Sequence, residues 1–370
     1  MKQNPRILAT LTLSLFVLGI QHAQAEVEAS TVVRYYDDGK TQVTSPAIEV
    51  GSSFNEDKMR LNVHVAQDVL TSASSEVKTY SSRGVIEDVR NELQLNYEAQ
   101  IPDGTLSMGL ITSDEKDYHS KIISAGGSRE FFTKNTVVGF GLSSGQDQIL
   151  ATGNSSVNES MQHQIYSISL SQILSKISLI QLLYDFRVEN GFIASPYRKA
   201  KVINGSTIIA LNENHPRTRN RHAIGVKYNY YSNEWKMSFA TSYRLYQDSW
   251  DVLSNTLEER VTREFGRKFE LSGSLRYYTQ KKAKFYQDYY NTDPGVFYSG
   301  NNTLATYDAI SLGLRPAYQL NDKMNLSLKL EYYTQFFEDA TDAGQLSTQA
   351  DDKKLSISAL VIGAGLTAKF

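Results

Sequence analysis

Cysteine is absent from the 370-residue chain. That excludes disulfides and thiolate metal centres. Proline is scarce at 7 residues and tryptophan scarcer at 2. Charge of one sign is also missing: 38 Lys and Arg stand against 40 Asp and Glu, a net charge of −2. A chain so balanced lacks the basic excess that marks a nucleic-acid partner. Beyond the first 25 residues no apolar run approaches the roughly 20 residues that a spanning helix needs. No sustained i, i+3, i+4 apolar stripe follows either, which leaves no basis for a helical fold. What is plentiful is aromatic, with 23 Tyr and 15 Phe.

The one long apolar stretch lies at the start. Lys2 and Arg6 precede Ile7 to Ile20, and Ala23-Gln24-Ala25 follows as a small-x-small site. This is the layout of a cleaved secretory signal over residues 1–25, with a mature chain from Glu26. No twin-arginine pair and no lipidation cysteine accompany it, so the general secretory route is expected.

The chain ends in a strand. Counting back from Phe370 by twos gives Ala368, Leu366, Ala364, Ile362 and Leu360, all apolar, while Lys369, Thr367, Gly365 and Gly363 take the other parity. A period of two marks a strand with one oily face. A last strand of this kind, ending on an aromatic residue, looks like the closing strand of an outer-membrane barrel, with Phe370 as its assembly signal. The same alternation recurs upstream. Leu93, Leu95, Tyr97, Ala99 and Ile101 alternate with Glu92, Gln94, Asn96, Glu98 and Gln100. Tyr184, Phe186 and Val188 alternate with Asp185, Arg187 and Glu189.

Tight polar turns and longer loops separate these strands in strict alternation. The turns include Asn55-Glu56-Asp57, Pro102-Asp103-Gly104, Ser175-Lys176 and Asn321-Asp322; the loops run over Thr71–Gly84, Ser143–Glu159, Asn190–Asn214, Lys281–Thr306 and Glu338–Asp352. Short turns on one side and long loops on the other are the signature of outer-membrane barrels. The segmentation predicts an all-β, transmembrane, antiparallel up-and-down β-barrel over 26–370 of about 16 strands, with 14 or 18 as alternatives. Tyr97, Phe131, Tyr230, Tyr231, Trp235, Tyr277, Tyr332 and Phe336 fall near strand ends, where girdle residues belong. A periplasmic β-sandwich would bury the oily face against a second sheet, but it explains neither the alternating turn lengths nor the terminal Phe.

The inward parity carries charges of both signs: Arg90, Glu92, Asp185, Arg187, Lys227, Arg244, Asp248 and Arg276 among them. Such charges must be paired or hydrated, and they read equally as a salt-bridged lumen or as a pore that selects solutes. The densest group, His215 to His222, places Arg217, Arg219 and Arg221 on one side, in the parity of Lys227. Three guanidiniums in a row could take an anion in bidentate fashion. They could equally pair with Glu189 and Asp248, or meet lipopolysaccharide phosphates at the rim.

Catalysis finds little support in the sequence. His64, His119, His163, His215 and His222 stand in no spacing that suggests a Ser–His or Asp–His site. His215 and His222 have opposite parities and make poor joint metal ligands. Acid patches such as Asp114-Glu115 read as solvated loop, with weak divalent-cation binding as the alternative. Neither an enzyme nor a cofactor or metal is expected.

The second half carries a family resemblance. Its pieces are Asn190-Gly191-Phe192 with Ser195-Pro196-Tyr197-Arg198-Lys199; Glu213 through Arg219 with Arg221-His222-Ala223; Tyr243 through Trp250 with Ser254 through Glu258; and Leu275 through Gln280 with Ala283-Lys284-Phe285-Tyr286. Together they resemble the bacterial "domain of unknown function 3570" family of exported β-rich proteins. Asp68 through Ser75 is similar to that family's Asp-x-x-Ser-Gly-Ala-Ser stretch without its Gly. The resemblance implies an envelope β-protein and carries over no catalytic residue. The expected function is a passive channel for small hydrophilic solutes in a Gram-negative outer membrane, whose partners are the bilayer, lipopolysaccharide and the assembly machinery. The alternative is a non-conducting barrel that serves as envelope scaffold or as partner of a protein complex.

Overall fold

A computed structural model describes residues 26–72, 86–341 and 354–370. The expected signal segment, most of the Thr71–Gly84 loop and most of the Glu338–Asp352 loop lie outside the described residues.

Sixteen antiparallel strands close into one barrel. They are β1 (Val27–Asp37), β2 (Thr41–Phe54), β3 (Met59–Ser72), β4 (Ile86–Ile101), β5 (Gly104–Asp114), β6 (Tyr118–Phe131), β7 (Thr136–Leu150), β8 (Asn158–Ser175), β9 (Ser178–Gly191), β12 (Thr218–Ser232), β13 (Met237–Asp248), β14 (Leu253–Phe265), β15 (Phe269–Lys281), β16 (Tyr307–Asn321), β17 (Met324–Thr341) and β18 (Lys354–Lys369). A two-stranded hairpin outside the barrel, β10 (Lys199–Asn204) with β11 (Thr207–Asn212), fills part of the β9–β12 connection. Each barrel strand pairs with its sequence neighbours, and β18 closes the ring on β1 from Glu28↔Lys369 to Asp37↔Leu360. Closure leaves no unpaired edge for the hydrocarbon region. The expected architecture, strand number and closing role of the last segment are all realised.

Alternation sets what each face does. Met108, Ile123, Phe140, Ile168 and Leu312 stand exposed on the outer wall, Met108 at 67%. An apolar surface of that extent belongs in lipid, not in water. Aromatic pairs ring the turn end, including Phe54 with Tyr97, Trp235 with Phe239, and Phe265 with Phe269. At the loop end Tyr166, Phe186 and His222 stack in sequence, and the Tyr184 hydroxyl meets His222 Nδ1 at 2.9 Å. Tyr231 shares the lumen parity of Lys227, so it does not continue the turn-end ring.

Two segments differ from the sequence reading. Ser143–Glu159 reads as loop, yet β7 runs to Leu150 and β8 begins at Asn158. The Asn190–Asn214 loop holds the β10–β11 hairpin. In the first case polar composition hides strand, because a partner supplies the backbone hydrogen bonds that the side chains do not advertise; in the second, two short apolar runs that pair Val202 with Ile209 and Ile203 with Ile208 lie inside a long connection.

Candidate functional site: a polar lumen beneath inward-folded loops

On the lumen side of β7, β8, β9, β12 and β13, near the loop end, charged side chains form a continuous cross-strand chain. Ser120 donates to Asp147 Oδ1 at 2.6 Å, and His163 Nδ1 lies 3.5 Å from Asp147 Oδ2. His163 fits because its neighbour is glycine: a Cβ at Gly145 would fall 2.2 Å from the imidazole. Across the next pairing, His163 faces Glu189, which faces Arg219. Glu189 takes two guanidiniums, Arg187 at 2.9 Å and Arg221 at 2.6 Å. Arg219 Nε donates to Asp248 at 2.8 Å. Asp248 also accepts from the Tyr246 hydroxyl and from the backbone N–H groups of Trp250 and Val252, so it caps the β13–β14 turn. Asp147, Glu189 and Asp248 are all buried. Buried charges of this kind hold only when each finds a partner.

Thus Arg219 and Arg221 are paired with Asp248 and Glu189, while the exposed Arg217 reaches Glu159 at 3.2 Å. Arg90 pairs with Asp68. Glu92 accepts from Gln94, Asp185 accepts from Ser167 at 2.7 Å, and Arg244 lies 3.9 Å from Asp185. Lys227 and Arg276 stand exposed on the lumen side. Phe370 is exposed at the turn end, and its N–H donates to the Val27 carbonyl at 2.9 Å. The sequence reading gave Asp147, His163 and Glu213 no role in a site. Asp147 sat in a stretch read as loop; its shared parity with His163 across β7 and β8 is the signal that could have found it.

Above the charged chain, the loops fold inward. Trp250, Val252, Ala283, Tyr286 and Leu304 form a buried cluster with Phe337, Ala340 and Leu355, which belong to the ends of β17 and β18. A second cluster joins Ala200 and Val202 of the hairpin to Tyr290 of the β15–β16 loop. The two loops are bound by an isolated bridge between Val202 and Tyr290, and by Lys201 with Asp288 at 2.7 Å. Glu213 joins them too. It accepts from the Ser299 hydroxyl at 2.7 Å and the Gly300 N–H at 2.9 Å, with His215 Nε2 at 3.6 Å. Burial pushes the Glu213 carboxyl up, but His215, Ser299 and Arg198 together hold it below its ordinary value. Tyr197 reaches the far side of the mouth: its hydroxyl donates to Asp117 and accepts from the Thr152 N–H. Burial and the bond to Asp117 push that hydroxyl up. Beside it the carboxylates of Asp88, Glu115 and Asp117 converge, and burial with the charge of Asp88 raises Glu115.

Ser120 bonds to Asp147 and not to the His163 imidazole, so this trio lacks the base-to-nucleophile contact of a hydrolase.

A closed barrel with an apolar outer wall, a charged lumen and inward-folded loops defines an outer-membrane-type β-barrel. The family model described as "Protein of unknown function (DUF3570)" matches residues 77–167 and 158–350, and the chain belongs to that family. A comparison with curated proteins finds no match. Among solved structures the chain is similar to a "Bacterial polysaccharide outer membrane secretin", at 11% identity and a TM-score of 0.52, over 94% of this chain and 99% of that one. It is also similar to CdiB from Acinetobacter baumannii, at 10% identity and a TM-score of 0.54. That match covers 93% of this chain and 60% of CdiB. Likeness at such identities concerns the fold.

Proposed function

We propose that the protein is a passive channel for small hydrophilic solutes in a Gram-negative outer membrane, with the turn end in the periplasm and the loop end outside. One observation carries this reading: the lumen face of β5–β8 is floored by small polar residues. Gly109 faces Ser124, Ser124 faces Ser143, Gly126 faces Gly141, and Gly141 faces Ser167. Side chains this short cannot fill a ring of 16 strands, and a barrel of that size is wide enough for water. On the opposite wall the lining is cationic. Arg34 and Lys329 both lie across from Gly363, and Arg315 lies across from Ser272 one strand further on. Lys329 pairs with Glu331 at 2.6 Å; among the described residues Arg34 and Arg315 have no ion-pair partner. The reading assigns the barrel transport rather than catalysis, with a mild preference for anions. Its contacts would be the bilayer and lipopolysaccharide, and the assembly machinery that reads the last strand.

The loop core favours a second reading. A mouth covered by packed loops suits a barrel that conducts nothing and serves as envelope scaffold or partner of another protein. Planar-bilayer conductance of the folded, heat-modifiable protein separates the two. Discrete current steps in symmetric salt support the channel. A folded barrel that stays silent overturns it and leaves the scaffold.

A further inference from the structure

Below the loop core, the lumen wall of β15–β17 carries a recess of about 430 Å³, within the range of about 300 to 1,000 Å³ that small-molecule sites occupy. Its floor is low because the middle strand presents Ala309 and Ser311, both buried. Arg276 and Tyr278 on β15 rise on one side, Glu331 and Tyr333 on β17 on the other, and Tyr307 stands toward the loop end. We infer that this recess is a binding subsite for a small sugar acid. The inference rests on the channel reading only in that a solute must reach the lumen.

Three features of the recess specify the ligand. The first is charge. Glu331 is held by Lys329 at 2.6 Å, whereas among the described residues Arg276 has no ion-pair partner. A free guanidinium beside a neutralised carboxylate selects an anion, and its planar fork matches a carboxylate. The second is the aromatic surface. The Tyr278 and Tyr307 rings lie 5.4 Å apart and tilted by 32°, and Tyr307 continues to Phe337 at 5.1 Å. Rings in mutual contact leave no slot between them for a flat aromatic solute. They offer instead a broad face, which suits the C–H side of a pyranose. The third is the supply of hydrogen bonds. The phenol hydroxyls and Ser311 ring the space, and Tyr278 is held by donating to Gln280 Oε1 at 2.7 Å. Hydroxyls around a carboxylate-seeking cation fit a polyol acid better than a bare anion.

The test is saturation-transfer NMR and calorimetric titration of the detergent-folded protein with glucuronate, glucose, acetate and benzoate. Glucuronate binds, and the other three bind more weakly by about tenfold or more, as expected when a charge-assisted contact or the ring face is missing. Arg276→Gln removes the preference for glucuronate over glucose. Lys227→Gln, in the same lumen but outside the recess, leaves it intact. Equal binding of acetate and glucuronate overturns the sugar face, and tighter binding of benzoate overturns it in favour of an aromatic acid. Absence of glucuronate binding, with heat-modifiability showing a folded barrel, removes the site. A protein that binds glucuronate but passes no current keeps the subsite and loses the channel, while one that conducts without binding does the reverse.

Discussion

The guanidinium of Arg219 lies 4.1 Å from the centroid of the Trp250 ring while its Nε holds Asp248. Arg219 is a wall residue and Trp250 belongs to the loop core, so the contact joins the buried charges to the inward-folded loops. The Trp250 Nε1–H completes the junction by donating to the Thr218 carbonyl at 3.1 Å.

Asp248 is therefore the residue whose loss should free the loops. Asp248→Ala strands the Arg219 charge and uncaps two backbone N–H groups. Breaking a buried pair costs about 3–5 kcal/mol, which should appear as a lower urea midpoint. A second signal comes from fluorescence. The chain has 2 tryptophans; Trp250 is 2% exposed and Trp235 58%. Asp248→Ala should shift emission to the red, and the shift should vanish in a Trp250→Phe background. An unchanged spectrum would mean the loops stay seated without this tie.

Glu213 makes the seating sensitive to acid. Its folded value is lowered from an unfolded value of 4.5. A depressed carboxylate contributes stability that is fully present above the unfolded value and is lost as pH falls through the folded one. The contact between the β9–β12 and β15–β16 loops should weaken below about pH 4.5, read as faster acid-protease cleavage within 282–306. Glu213→Gln should cleave at an elevated rate at neutral pH and lose most of the acid dependence.

The wall was legible in the sequence because a period of two with alternating turn lengths has few other solutions. Parity also placed Arg219 and Arg221 on the lumen side and named Glu189 and Asp248 as partners. It could not say which pairs form, because facing residues on β9 and β12 are separated by a long connection. The loop core was illegible for a different reason. Ala283, Tyr286 and Leu304 follow no period, and their burial depends on meeting Phe337 and Leu355 from the far end of the chain. The recess was missed for the same cause: Arg276 was noted, but the tyrosines beside it come from three strands.

Phe370 should be needed for assembly and not for the stability of the finished barrel. Its ring is exposed at the turn end, and among the described residues its one hydrogen bond runs from its backbone N–H to the Val27 carbonyl. Deleting it removes a single bond of about 1 kcal/mol from a closed sheet. Yield in the outer membrane should fall sharply, while the little that inserts should keep the wild-type heat-modifiable shift. Normal yield of the truncated chain would remove the assembly role.

Ion preference should depend on the β16–β17–β1 wall and not on the arginine row of β12. Arg219 and Arg221 sit on buried carboxylates, so replacing Arg219 together with its partner Asp248 by Ser removes an ion pair whose field is already cancelled. That double variant should lose stability and change reversal potential little. Arg34 and Arg315 stand exposed in the lumen without an acid among the described residues. Their charge acts on passing ions, screened over a Debye length of about 10 Å at 0.1 M salt. Arg34→Ser with Arg315→Ser should therefore shift the reversal potential toward cations, and the shift should shrink as salt is raised from 0.1 M to 1 M, where screening contracts to about 3 Å. A larger shift from the Arg219–Asp248 double variant than from the Arg34–Arg315 one would place the conduction path along the opposite wall.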